Sequence, residues 1–285
     1  MTGSVDGFVE VWDCETCKLR TDLEYQASGL LMRHEEDPRA VLSSAFSRDG
    51  EFLATGSQAG TIRVWKVKDG ACSKKFVNAH PQGITALCFS KDSTNILSAS
   101  FDGSLRLHGI RSGKALKEFR GHGSYVNAVA FSRSGEEVVS GSSDGTVRLW
   151  DLRTSDCLLT VRPGLPGQQG HDVTVLAAIA VPHTDTYFVV TKSSSAHLLS
   201  AQGETIRTYR SGGSADFLCA CVSPQGKWAY CLGEDGLMCV FDLVRGTLED
   251  SVQVTDRECI AVTHHPHRNL LVTLQDDGQL KMWKG

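Results

Sequence analysis

The sequence predicts an all-β fold built from one four-stranded antiparallel unit repeated along the chain, and three observations lead there. Hairpin signals recur at intervals of about 42 residues. In six of seven copies, six residues separate the Asp (Ala59 in the second copy) that precedes the turn glycine from an aromatic or histidine near the strand end. No segment of the chain carries a convincing helical period.

The best-preserved copy runs from Ser140 to Asp151 and reads Ser-Gly-Ser-Ser-Asp-Gly-Thr-Val-Arg-Leu-Trp-Asp. Asp144-Gly145 joins its two β-rich runs and suits the positive backbone angles of a tight hairpin. In the second run Val147 and Leu149 point one way, and Thr146, Arg148 and Trp150 the other. The same hairpin ends at Trp12, Trp65, His108, Phe241 and Trp283, with a degenerate copy near Ser193 ending at Leu199. Upstream of most copies a further strand closes on a Phe-Ser-like step and a turn, as in Phe46-Ser47, Phe89-Ser90, Phe131-Ser132 and Val222-Ser223. Downstream comes a fourth, shorter run, such as Ala115 to Phe119 or Thr205 to Tyr209.

Composition narrows the classes of function. Hydrophobic residues make up 41% and charged residues 22% of 285 residues, as in an ordinary globular chain. A net charge of −4, from 29 basic and 33 acidic side chains, gives no global pull toward nucleic acid or anionic membrane. The longest nearly apolar run, Val173 to Val181, is far too short to span a bilayer. The first residues carry neither a basic region nor an apolar core, so no secretory signal is expected. Ten cysteines in a chain of this length are no disulfide framework, and most fall in strand-like runs. They indicate a reducing compartment, cytosol or nucleus.

A four-stranded unit of this length with a Gly-His…Trp-Asp signature resembles the WD-repeat family of β-propellers. The resemblance covers essentially the whole chain and implies a propeller of seven-bladed type in a single domain, 1–285. The expected boundaries are a half blade at 1–25, five complete blades over approximately 40–253, and a three-stranded blade at 259–285. On this reading the first blade lacks its inner strands and the last its outer strand, which predicts a fragment, or a short product, of a longer protein. Sheets packed radially bury both faces, which explains the imperfect alternation.

The same resemblance assigns the fourth blade's polar residues. His122, Ser140, Asp144 and Trp150 match the family's structural tetrad, expected as a chain from the His through Asp and Ser to the indole N–H. A hydrolase triad is the competing reading of Ser, His and Asp. The set recurs with the blade: His80, Ser98 and Asp102 stand in the third copy with His108 in place of Trp, and Asp235 stands with Phe241 in the sixth. Recurrence favours a structural role, and no catalytic residue is expected. Cys14-Glu-Thr-Cys17 is a CxxC without a second pair at finger spacing. His264, His265 and His267 cluster at a turn where neighbours point to opposite faces. Neither is read as a metal site, and no cofactor is expected. The Pro/Gly-rich stretch Arg162 to Gly170 is expected to be a surface excursion.

Family members bind proteins where the loops before the inner strands meet those between the second and third strands. Here those positions hold Phe101, Tyr125, Asn127, Ser143, Asp216, Glu234, Glu258 and Asp276. The stretches Thr2–Phe8, Leu97–Asp102, Lys117–His122 and His264–His267 further resemble a group of WD-repeat splicing factors. That resemblance implies a non-catalytic nuclear scaffold in pre-mRNA splicing, with spliceosomal proteins and an Arg-Glu-dipeptide-rich protein as partners. It implies no membrane, no small-molecule substrate and no strong direct RNA contact. A general adaptor, such as a ubiquitin-ligase substrate receptor or signalling scaffold, is the alternative.

Overall fold

A computed structural model describes the chain except for residues 5, 14, 15, 17, 21, 22, 24–31, 35–39, 165–172 and 285. Among the described residues every regular element is a β-strand. Two compact units are formed, Met1–Val129 with Leu152–Asp156, and Ala130–Asp151 with Cys157–Gly285.

The first unit opens with a small sheet of β1 (Thr2–Gly3), β2 (Phe8–Glu10) and β3 (Met32–Arg33). Two four-stranded sheets follow. One is β4 (Val41–Phe46), β5 (Phe52–Ser57), β6 (Ile62–Lys66) and β7 (Cys72–Phe76). The other is β8 (Ile84–Phe89), β9 (Asn95–Ser100), β10 (Leu105–Gly109) and β11 (Lys114–Phe119). The boundary between the units runs through β12 (Val126–Phe131), which heads a sheet with β13 (Glu137–Ser142), β14 (Val147–Asp151) and β15 (Cys157–Val161).

The second unit continues with β16 (Val175–Ala180), β17 (Thr186–Thr191), β18 (Ser195–Ser200) and β19 (Thr205–Arg210). Next come β20 (Phe217–Val222), β21 (Trp228–Gly233), β22 (Leu237–Asp242) and β23 (Thr247–Gln253). It closes with a three-stranded sheet, β24 (Cys259–His264), β25 (Leu270–Gln275) and β26 (Leu280–Lys284). Among the described residues six sheets therefore reach blade size, where a propeller of seven-bladed type with only a half blade at 1–25 was expected. At the first position the strands are only two or three residues long, and Trp12 meets Leu19 through an isolated bridge. Val9 and Val11 are the alternating apolar residues of that run, and both are buried.

Burial follows strand position. The second strands β5, β9, β13, β17 and β21 each bury five of six residues. The outer strand β23 is exposed almost throughout. Both faces of β14 are covered: Val147, Leu149 and Trp150 are all buried, although they do not share a face. In the second unit Phe188, Tyr209, Phe241 and Phe217 stack edge-on in series, with ring centroids 5.7, 5.4 and 6.2 Å apart. In the first unit, successive sheets are tied by side-chain bonds. Ser43 Oγ donates to the carbonyl of Ile84 at 2.9 Å, and Thr85 Oγ1 to that of Val126.

Two irregularities recur. The register between third and fourth strands slips one residue before or at the aromatic position, at Val64/Trp65, Leu107/His108, Leu149/Trp150, Leu198/Leu199 and Val240/Phe241. Each bulge adds local twist at that position, which holds a ring in four sheets and Leu199 in the fifth. The Asp-Gly hairpins also differ from expectation, because only the glycine takes a positive φ, 77° at Gly145. The Asp keeps ordinary angles and works through its carboxylate, with Asp144 Oδ1 accepting Thr146 N–H at 2.9 Å. Ser142 N–H bonds to the Thr146 carbonyl and Gly145 N–H to that of Ser142, closing a three-residue loop with glycine in the left-handed position.

At Gly236, φ is +73° and a Cβ would run into the carbonyl oxygen of Thr255. Gly236→Ala is therefore expected to lower unfolding free energy by about 1–3 kcal/mol. Urea midpoints unchanged from wild type would contradict this account of the turn.

Candidate functional site

The polar groups that could carry chemistry are wired into the sheets in one repeated pattern. In the sheet β8–β11, His80 Nδ1 lies 2.9 Å from Asp102 Oδ2, and His80 Nε2 lies 2.8 Å from Ser98 Oγ. Ser98 Oγ lies 2.9 Å from His108 Nε2. The order along the chain of bonds is Asp–His–Ser–ring, so histidine stands between the acid and the serine. The order expected for the fourth copy, from His122 through Asp144 and Ser140 to Trp150, differs from the one this third copy shows. A carboxylate can only accept, so His80 Nδ1–H donates to it and Nε2 accepts from the serine hydroxyl. The serine lone pair is then filled by His108 Nε2–H, which supplies what an indole N–H supplies elsewhere.

Electrostatics agree with that assignment. Burial drives the pKa of His108 down to about 3, helped by the nearby His80 and Arg106, so its ring stays neutral. Its buried Nδ1 meets no donor among the described residues, as a bare lone pair would leave it. Burial alone would raise Asp102, but hydrogen bonds from His80 and Ser104 hold it at about 2.

The fourth copy shows the same closing contact. Trp150 Nε1 donates to Ser140 Oγ at 2.8 Å, and both residues are buried. Asp144 caps its own hairpin, accepting from the Thr146 amide and hydroxyl. His122 lies in the first unit, in the loop after β11, half-buried. Sequence reasoning missed that threonine serves equally. Trp65 donates to Thr55 at 2.8 Å, Trp283 to Thr273 at 3.1 Å, and Trp12 to Thr2 at 2.9 Å. Every pair is ten residues apart, a spacing visible in the sequence. His34 Nε2 adds a contact to Thr55 Oγ1 at 2.9 Å although Ala59 replaces the Asp of that copy. Where the ring is Phe241, the residue ten before it is Cys231, so donor and acceptor vanish together.

Chemically this arrangement is closed. Ser98 and Ser140 are fully buried and their oxygens are engaged by ring N–H groups. A nucleophilic serine needs an open approach for the carbon it attacks.

The expected binding positions fall where the loops meet within each sheet. Phe101 N–H bonds to the Gly83 carbonyl, Glu234 N–H to that of Asp216, and Asp276 N–H to that of Glu258. In the first unit Phe101 and Tyr125 meet edge to face, centroids 5.1 Å apart, with Tyr125 half exposed and Asn127 in β12. In the second unit Ser143 follows β13, while Asp216, Glu234, Glu258 and Asp276 flank β20, β21, β24 and β25. Of these, Glu234, Glu258 and Asp276 are exposed.

The remaining motifs separate. Cys14 and Cys17 lie outside the described residues, as does most of the stretch Arg162 to Gly170. His265 Nδ1 accepts from the amides of His267 and Arg268, and His264 Nδ1 donates to the His265 carbonyl at 2.7 Å. Among the described residues no group of three or more ligands is placed to hold a metal ion. The described cysteines are free thiols, and burial pushes Cys219 up to about 12. No helix is long and apolar enough to cross a membrane.

The family profile described as "WD domain, G-beta repeat" matches residues 28–66, 70–108 and 113–151. The "WD40 repeat-containing protein smu1" of Dictyostelium discoideum is 43% identical over all 285 residues. This chain belongs to the WD-repeat family. The WD-repeat chain spans 53% of that relative's length. It is also 26% identical over 88 residues to the "Periodic tryptophan protein 2 homolog" of Caenorhabditis elegans, covering 31% of this chain and 10% of that one. Over 118 residues it is 30% identical to the "WD repeat-containing protein 91 homolog" of D. discoideum, covering 41% of this chain and 14% of that one.

Two outcomes follow from the bonded chain. Ser98→Ala and Ser140→Ala should each lower stability by about 1–3 kcal/mol, because buried ring nitrogens lose their partners. Equal urea midpoints for wild type and both variants would refute it. The second concerns acid. His108 refuses a proton that the unfolded chain binds below its ordinary value of 6.5. Stability should therefore be unaffected above that pH and fall as pH drops from 6.5 toward 3, by up to about 1.4 kcal/mol per pH unit for this group. His108→Asn should flatten the urea-midpoint profile between pH 6.5 and 5 by about one proton, whereas an unchanged slope would place the titration elsewhere.

Proposed function

We propose that this WD-repeat chain is a non-catalytic protein-interaction scaffold acting in pre-mRNA splicing in the nucleus, within a propeller of seven-bladed type. The observation that carries the reading is 43% identity over all 285 residues of this chain to the WD40 repeat-containing protein smu1 of Dictyostelium discoideum. The stretches Thr2–Phe8, Lys117–His122 and His264–His267, which resemble WD-repeat splicing factors, support it. Its partners are proteins, among them spliceosomal components and an Arg-Glu-dipeptide-rich protein. The propeller domain extends over 1–285, with the first blade represented by 1–25 and the last by 259–285.

The state of the polar side chains favours a scaffold over an enzyme, since serine, histidine and acid are spent on holding strands together. What is left for recognition is the loop surface. The edge-to-face pair Phe101–Tyr125 offers an aromatic anchor in the first unit, of the kind that concentrates binding energy. In the second unit the corresponding loops present Ser143, Asp216, Glu234, Glu258 and Asp276.

Affinity purification of the chain from nuclear extract tests the reading, with splicing proteins expected among those retained. Recovery of cullin adaptors without splicing proteins would replace it with the ubiquitin-ligase alternative. Tyr125→Ala should weaken capture of the retained proteins about tenfold or more with an unchanged thermal midpoint. Capture indifferent to Tyr125 would remove this loop from the interface.

A further inference from the structure

The second unit contains a cleft of about 300 Å³ at the opposite end of its last two sheets from the acidic loops just described. It opens between the turn joining β20 to β21 and the turn joining β24 to β25. Pro224, Trp228, His264, Pro266, His267 and Arg268 line it. Lys227 Nζ sits 4.6 Å from the centroid of the Trp228 ring and adds positive charge to that wall. Among the described residues no carboxylate lines the cleft. Asp242, whose charge is felt by Lys227, is buried and accepts the amides of Val244 and Arg245.

The repeat supplies an internal control. The turn between first and second strands has a counterpart in every sheet. In the first unit it reads Ser47-Arg-Asp49 and Ser90-Lys-Asp92, with each serine hydroxyl bonded to the Asp carboxylate. In the second unit the position of Asp49 and Asp92 is held by Ser134, His183, Gln225 and His267, the last two in the turns that flank the cleft, where His265 also replaces the serine. His265 Nδ1 accepts the His267 and Arg268 amides, so the turn keeps its shape without an acid. A second cleft of about 220 Å³ lies between the equivalent turns of the sheets β12–β15 and β16–β19. Its lining carries Glu137 and Asp185 beside Arg133, and the Arg133 guanidinium is bonded to the His183 carbonyl. The fold therefore makes such clefts whatever their charge. Of these two clefts, the one at Trp228 has no carboxylate in its lining and carries two histidines and an arginine.

We propose that this cleft binds an anionic side chain of an extended peptide, with Arg268 and His267 meeting the anion and Trp228 and Pro266 packing its apolar neighbour. His264 spends its Nδ1–H on the His265 carbonyl, so Nε2 of the neutral ring is an acceptor, suited to an amide N–H of the peptide rather than to its anion. The apolar floor and small volume fit one or two side chains. An isolated inorganic ion would leave Trp228, Pro224 and Pro266 without a partner. The site is separate from the aromatic and acidic loops of the proposed scaffold surface and does not depend on their role.

Calorimetric titration of the 285-residue chain tests the assignment, using a blocked Leu-Asp-Glu-Asp-Leu peptide, its phosphoserine counterpart, its Asn/Gln counterpart and an oligouridylate. Binding of one or both charged peptides and not the neutral one is expected, and the two charged peptides tell a carboxylate from a phosphoryl site. His267→Asp combined with Arg268→Glu should weaken that binding at least tenfold. Both residues are exposed turn residues, so the thermal midpoint should not change. If it does, the single Arg268→Gln variant must still show the loss. Binding by neither charged peptide, equal binding by wild type and variant, or binding of oligouridylate alone would each overturn the proposal. Loss of this site would leave the capture of splicing proteins through Tyr125 intact, so the two readings fail separately.

Discussion

A buried ring N–H must find an oxygen, and in this chain one oxygen ten residues earlier answers it wherever the ring is tryptophan or histidine. That single contact ties the second strand of a sheet to the third at the point where the largest side chain enters the core. The rest is arranged around it: the bulge at the ring position, the glycine hairpin that sets the ten-residue distance, and the histidine that fills the hydroxyl's remaining demand. Where Phe241 takes the ring position, Cys231 replaces the hydroxyl, and the sheet is held by a stacked aromatic core instead. Loss of the donor with retention of the acceptor would leave an unpaired buried group, and the chain does not show that combination.

Much of this was legible before any coordinates. Repeat length, hairpin position and the six-residue step from acid to ring are local features, and local features fix a sheet of short antiparallel strands. The fourth copy's serine–tryptophan pair was equally visible. His108 and the threonines were not, because chemical equivalence is hidden by residue identity. A neutral imidazole looks like a lost tryptophan, and Thr55 or Thr273 looks like an ordinary strand residue. The first copy reads as a half blade, and its described strands are two or three residues long.

The cleft at Trp228 was illegible for a different reason. His264, His265 and His267 invited a metal reading, yet one imidazole is occupied by backbone amides and another by a carbonyl. What marks the place is a lining of two histidines and an arginine with no carboxylate, and that shows only when the cleft is set beside its neighbour. In the same two sheets the loops at the far end carry Asp216, Glu234, Glu258 and Asp276. The scaffold thus separates its charges along the strands while its total stays near neutral.

The ten-residue contact has a kinetic side as well. Because it closes within one hairpin, the entropy lost in forming it is that of a short loop, and it needs no other sheet to be in place. The ties between sheets, Ser43 to Ile84 and Thr85 to Val126, each span 41 residues and must await both partners. The order of assembly is thereby written into the bonds: hairpins first, each locked by its own ring, and neighbours stitched afterwards. A chain of such pieces can propagate structure from any well-formed copy.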